Sequence, residues 1–174
     1  METQSAKASK FILNYGLLLG VLSVVLGVIL YVTNSYLDPH WAYAVLGYAI
    51  FIAIVVMGIK AYKKANGTYL SIGEAIKVGV GIALIGGIIG TIWTLLLTNV
   101  IEPTYMDQMA EIQQEVMRER GMTEEQIAAG MEMAATFTSP WITSAIALVA
   151  NLFFGLLVGL FAGLVMKNKN PYEA

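Results

Sequence analysis

The chain has no cysteine, a single histidine, and charge on only 13% of its residues. Without cysteine there is no disulfide framework and no thiolate to act as nucleophile or metal ligand. The lone histidine, His40, follows Pro39 and has no other histidine or any cysteine near it. It reads as a turn residue at a membrane edge rather than a metal ligand. No nucleophile–base pair, P-loop, dinucleotide fingerprint or metal-ligand spacing occurs. The sequence therefore points away from an enzyme, with no catalytic residue, cofactor or metal site. The shortage of charge excludes more. A soluble domain carries about a quarter of its residues as charge, whereas here the charges are confined to the stretches between long apolar runs.

Those runs dominate what is present. The chain is 57% hydrophobic, with a mean hydropathy of +0.70. Phe11–Val32, Trp41–Ile59, Val78–Ile101 and Trp141–Met166 contain no charged residue, and each is roughly 19 to 26 residues long. A helix of about 20 residues, rising ~1.5 Å per residue, crosses the ~30 Å apolar core of a bilayer. The expected fold is all-α: an integral membrane four-helix bundle forming one domain over residues 1–174. Spans are expected near 11–32, 41–59, 74–101 and 141–166, with a helical hairpin, 102–140, on the extra-cytoplasmic face. The first run is too long for a cleaved signal peptide, and bulky, polar Tyr31–Tyr36 follows it, so it reads as a retained anchor.

Charge asymmetry orients the spans. Of ten Lys and Arg residues, Lys7, Lys10, Lys60, Lys63, Lys64, Lys77, Lys167 and Lys169 fall on one side, and only Arg118 and Arg120 on the other. The positive-inside rule puts both termini and the middle loop in the cytoplasm. Topology accounts for these lysines, so no nucleic-acid partner is expected, and they suit anionic lipid headgroups. Tyr31, Tyr36, Trp41, Tyr43, Trp93 and Trp141 at one interface, and Tyr62 and Tyr69 at the other, read as an aromatic belt.

The connections carry turn and cap signals. Asn34–His40 is short enough to force spans one and two into an antiparallel hairpin. Asn66-Gly67 marks a turn, and Ser71-x-x-Glu74 fits a capping box that starts the third helix near Ile72. The alternative makes Glu74 a functional carboxylate at the membrane edge. In the long insert, Glu102-Pro103 announces a first helix running to about Arg120, with Gly121 as its stop. Thr123-x-x-Gln126 opens a second helix reaching Phe137. Asp107, Glu111, Glu115 and Glu119 recur every four residues as an acidic stripe, with Tyr105, Met106, Met109, Ile112, Val116 and Met117 opposite. This stripe is a candidate docking surface; the plainer alternative rests the methionine face on the membrane and leaves the acids solvated.

Within the spans, glycine is the main signal. Gly16 and Gly20, Gly86 and Gly90, and Gly155, Gly159 and Gly163 are spaced four apart. Small residues at that spacing let helix backbones approach closely. They pack the bundle itself or, in the case of the Gly155 row, present a face to a partner or a second copy. Asn14 and Asn151 are expected to bond between helices. No Asp, Glu, His, Lys or Arg lies in the four apolar runs, which argues against ion-coupled or proton-driven transport.

The stretch Gly67-Thr68-Tyr69-Leu70-Ser71-Ile72-Gly73-Glu74-Ala75-Ile76-Lys77-Val78-Gly79 resembles the start of the third span in the domain of unknown function 4199 family of bacterial membrane proteins. Asn99–Pro103, the helical insert and the glycine-rich last span ending in Lys167-Asn168-Lys169 extend the likeness. The resemblance implies a four-span protein of the cytoplasmic membrane, with Ser71, Glu74, Ala75, Lys77 and Gly79 as motif positions and no established chemistry. The leading expectation is a non-enzymatic protein embedded in the lipid bilayer, assisting other membrane or periplasmic proteins or forming a homo-oligomer. The alternative is a small transporter or channel for a neutral solute, its path lined by Thr, Asn and the glycine rows.

Overall fold

The computed structural model describes residues 7–38, 40–135 and 139–168. Among these it is helical with no named strand: α1 (Ala8–Val32), α2 (Trp41–Ala65), α3 (Ile72–Leu96), α4 (Tyr105–Glu119), α5 (Glu124–Ala135) and α6 (Pro140–Met166). A π-helical turn, Leu97–Ile101, prolongs α3. The four long helices α1, α2, α3 with its π turn, and α6 are each long and apolar enough to span a bilayer. Two boundaries exceed expectation. α1 begins at Ala8, and α2 continues past Ile59 to Ala65. The added turn of α2 carries Lys63 and Lys64, cations that favour a helix C-terminus. The expected reach of α5 to Phe137, the Pro39 turn and Lys169 lie outside the described residues.

One device ends three helices. In α1 the N–H of Ser35 donates to Leu30 O at 2.9 Å and that of Asn34 to Tyr31 O at 3.0 Å. The same Schellman pattern closes α4, with Met122 N–H on Met117 O at 3.2 Å and Gly121 N–H on Arg118 O at 2.9 Å. α2 ends with Thr68 N–H on Lys63 O at 3.0 Å. Asn34 and Gly121 take positive φ, 52° and 77°, as the residue just past such an end requires. At α2's other end His40 is the N-cap, its Nδ1 accepting the Ala42 N–H at 3.3 Å. The insert differs from expectation at its start. Pro103 precedes α4 instead of sitting in its first turn, because the π turn runs on until Glu102, whose N–H donates to Leu97 O at 2.7 Å. α5 opens with the expected reciprocal box: Gln126 N–H on Thr123 Oγ1 at 3.3 Å, Thr123 N–H on Gln126 Oε1 at 2.9 Å.

α3 is the axis of the bundle, packing most extensively on α6 and α1. Lipid tails are as apolar as leucine, so close backbone contact must hold the helices in place of water exclusion. The α3–α6 seam supplies it. A Cβ placed on Gly79 would lie 2.8 Å from Gly155 O, and one on Gly159 would lie 2.9 Å from Ile76 Cα. On α3's other side, Gly16 and Gly20 of α1 receive Ile85 and Ile89. α2 is buried only from Ile54 onward, through Val55, Gly58, Ile59 and Tyr62. Its first half lies open. The dense core of Val55, Ile59, Val78 and Ile82 thus sits toward the lysine-rich end. Leu13, Leu17, Val21 and Val25 of α1 and Val149, Phe153 and Phe161 of α6 face outward, as a lipid-exposed surface requires.

Candidate functional site

The hairpin half of the bundle is hollow. Leu19 of α1 packs on Gly86 and Leu148 of α6 on Gly87, but a Cβ added to Gly90 would touch nothing within 4 Å. A cavity of about 400 Å³ results, walled by α1, α3 and α6, with Phe51 from α2. That lies within the roughly 300–1,000 Å³ of ligand sites. Along the helices it runs from the level of Leu19, Gly86 and Asn151 to that of Thr94 and Thr143. The eight-residue step from Gly86 to Thr94 makes it about 12 Å deep along α3.

The cavity is polar without being charged. Three of its hydroxyls commit their protons locally: Ser23 to Leu19 O at 2.9 Å, Thr94 to Gly90 O at 3.1 Å and Thr143 to Ser139 O at 2.7 Å. Their remaining lone pairs can only accept. Ser144 differs. It lines the cavity, is 5% exposed, and its Oγ has no hydrogen-bond partner among the described residues. An unsatisfied buried hydroxyl costs about 1–3 kcal/mol. A second cavity of about 310 Å³ adjoins the first, sharing Ser23, Phe51 and Asn151 and otherwise walled by Ala44, Gly47, Tyr48 and Phe154.

The lysine-rich end is closed. Glu74 completes its capping box with Ser71 and also reaches α2. Its carboxylate accepts the Tyr62 hydroxyl at 2.7 Å, the Ser71 N–H at 2.7 Å and the Asn66 amide at 3.3 Å. Tyr62 is therefore a core residue, 3% exposed, and not part of the aromatic belt where it was expected. Phe11 of α1 meets its ring edge-on at 5.9 Å. Leu70 and Asn168 exchange two backbone hydrogen bonds of 2.9 Å, strapping the end of α6 to the α2–α3 loop. All four long helices are clasped here.

The sequence candidates separate accordingly. Of the motif positions, Ser71 and Glu74 form the clasp, while Ala75 and Gly79 mesh with Gly155, Gly159 and Gly163; Lys77 is exposed. The Gly155 row thus faces α3 within the same chain, and that face is already occupied. Gly86 and Gly90, paired by spacing, diverge: Gly86 lies under Leu19, while Gly90 is open. Asn14 and Asn151 make no bond between helices among the described residues; Asn14 lies on the exposed face of α1 and Asn151 borders both cavities. Ser144 does not stand out in sequence from the other uncharged polar residues of the spans, because a span serine ordinarily donates to the carbonyl four residues back.

The hairpin is tethered by tyrosines. Tyr36 stacks on Tyr105 at 6.0 Å and donates its hydroxyl to Gln108 at 3.3 Å. Burial, reinforced by the Glu102 carboxylate, pushes the Tyr36 phenol above its ordinary value. Arg118 Nε meets Glu124 at 3.0 Å across the α4–α5 turn. Asp107, Glu111, Glu115 and Glu119 are all exposed, and among the described residues no three acidic or histidine side chains converge as a metal would need.

A family model described as "Protein of unknown function (DUF4199)" matches residues 14–168, most of the chain. No curated protein and no solved structure matches.

Proposed function

The chain belongs to the DUF4199 family of proteins of unknown function, and from its own geometry we propose that it is a non-enzymatic membrane protein that holds a small uncharged ligand in the cavity of the hairpin half. One observation carries this reading: beside the bare Gly90 the helices leave a cavity of about 400 Å³ lined by Ser23, Thr91, Thr94, Thr143 and Asn151. The walls offer hydroxyls and a carboxamide but no charge, and an unpaired ion in such surroundings is expensive. The family resemblance supports a bacterial cytoplasmic membrane and the lysine distribution both termini inside, so the cavity would lie in the outer half of the membrane. A reporter fused beyond Ala174 should be active only in the cytoplasm; activity outside would invert the direction of loading.

The cavity reading is tested with purified protein in nanodiscs and tritiated glycerol and acetamide, measured by scintillation proximity. Saturable binding is expected, together with its loss in Gly90→Leu, which fills the space. A Gly90→Leu variant that binds as the parent does would refute it. Flux of the same probes into proteoliposomes separates a carrier from a receptor. A second reading, assistance to another membrane or periplasmic protein, is favoured by one observation: the whole stripe of Asp107, Glu111, Glu115 and Glu119 is exposed. A photoreactive residue at Glu115 should then give one specific crosslinked product in native membranes, and a diffuse ladder would end that idea.

A further inference from the structure

Two polar side chains in the hairpin half are left without a partner, and they line the same space. Neither the Asn151 carboxamide of α6 nor the Thr91 hydroxyl of α3 makes a hydrogen bond among the described residues, and both border the larger cavity. Asn151 also borders the smaller one, so it stands where the two meet. Its amide lies against α3 at Gly87, where a Cβ would come within 3.4 Å of Asn151 Nδ2. Thr91 is one turn nearer the hairpin on the same face of α3, about 6 Å along the axis. Counted from Pro140, Asn151 is about 16 Å below the hairpin-side end of α6, well inside the bilayer. A carboxamide at that depth ordinarily bonds across to another helix. The hydroxyls around it do not offer a proton: Ser23 gives its own to Leu19 O and Thr94 gives its own to Gly90 O. The walls are therefore richer in acceptors than in donors.

We propose that the junction of the two cavities recognises a small neutral carboxamide or urea, paired edge to edge with Asn151. One N–H of the ligand donates to Asn151 Oδ1 while its carbonyl accepts from Asn151 Nδ2, and its other N–H meets Thr91 Oγ1. This rests on the cavity reading above and names its ligand class. A primary amide or urea presents a donor and an acceptor side by side in one plane, the match of an asparagine side chain. Its surplus of N–H groups suits walls whose hydroxyls can mostly only accept. A polyol lacks the fixed plane, and a tertiary amide keeps the acceptor but loses every donor.

The test uses the full chain in nanodiscs with acetamide, N,N-dimethylacetamide and glycerol, titrated by saturation-transfer NMR. Acetamide should bind saturably, glycerol more weakly, and dimethylacetamide at least roughly tenfold more weakly. Asn151→Leu keeps the volume and removes the paired bonds, and should weaken acetamide roughly thirtyfold; Thr91→Val should weaken it roughly fivefold, the losses expected for two neutral hydrogen bonds and for one. If dimethylacetamide or glycerol matches acetamide, or if Asn151→Leu binds acetamide as the parent does, while Gly90→Leu still abolishes binding, the amide site is overturned and the small-solute cavity stands. If Gly90→Leu leaves acetamide binding intact, both readings fall. The comparison of acetamide with dimethylacetamide needs no variant, so it decides the matter should Asn151→Leu fail to fold.

Discussion

Placing a side chain on Gly159 should part α3 from α6. A Cβ there would lie 2.9 Å from Ile76 Cα and 3.0 Å from Ala75 O, both main-chain atoms that cannot rotate aside. Carbon atoms are at ease about 3.5–4.0 Å apart, so the helices must separate locally by somewhat under 1 Å for alanine and by more for leucine. A gap of that size already forfeits a quarter to a half of each contact along the seam. Overpacking costs about 1–3 kcal/mol; alanine should fall near 1 and leucine near 3. In water, alanine would regain about 1 kcal/mol of helix propensity. In a bilayer that gain largely cancels, because spans stay helical after they separate. Gly90→Ala, with open space around it, is the control and should change stability by under about 0.5 kcal/mol. Steric-trap unfolding in bicelles measures all three. If Gly159→Leu matches the parent, the backbone-contact account of the seam is wrong.

Other consequences follow from the clasp and the hairpin. Glu74→Ala removes a cap and a charge-assisted hydrogen bond and should cost about 2–3 kcal/mol; unfolding in bicelles reads the loss, and faster amide exchange over 66–75 should locate it. Glu74→Gln should recover only part, since its amide would point donors at donors. Gly121→Ala places a methyl on a residue with φ of 77° and should cost the hairpin about 1–2 kcal/mol, seen as faster exchange in α4 and α5 and not in α3. The hydrogen bond and charge of Arg118 hold Glu124 below the ordinary carboxylate range. A depressed value means the pair contributes fully above about pH 4.3 and is lost as pH falls through the lowered value. Hairpin protection should therefore be flat down to about pH 4 and drop below it, while Arg118→Gln shows no such step.

The spans were legible because a bilayer demands twenty apolar residues and little else provides them. The caps at Ser71 and Thr123 were legible because each is settled within four residues. What the glycines touch was not. Spacing puts Gly155, Gly159 and Gly163 on one face but cannot say whether that face meets α3 or a second chain. Tyr62 looked interfacial by position, yet the helix continues past Ile59, which carries Tyr62 inward to Glu74. The cavity was the least legible feature, since it arises from what the helices fail to supply: no side chain at Gly90, and no buried residue in the first half of α2.

The turn at Leu97–Ile101 holds one residue more than the helix around it needs. Each residue of an α-helix turns the chain by about 100°, so this surplus sets the compass bearing at which the hairpin leaves the bundle. Excising Val100 alone would let the helix wind regularly and swing the acidic stripe by about that angle, pulling Tyr105 and Gln108 away from Tyr36. The direction in which this protein presents its carboxylates is thus encoded by counting, in a single surplus residue, and fastened by the Tyr36 contacts.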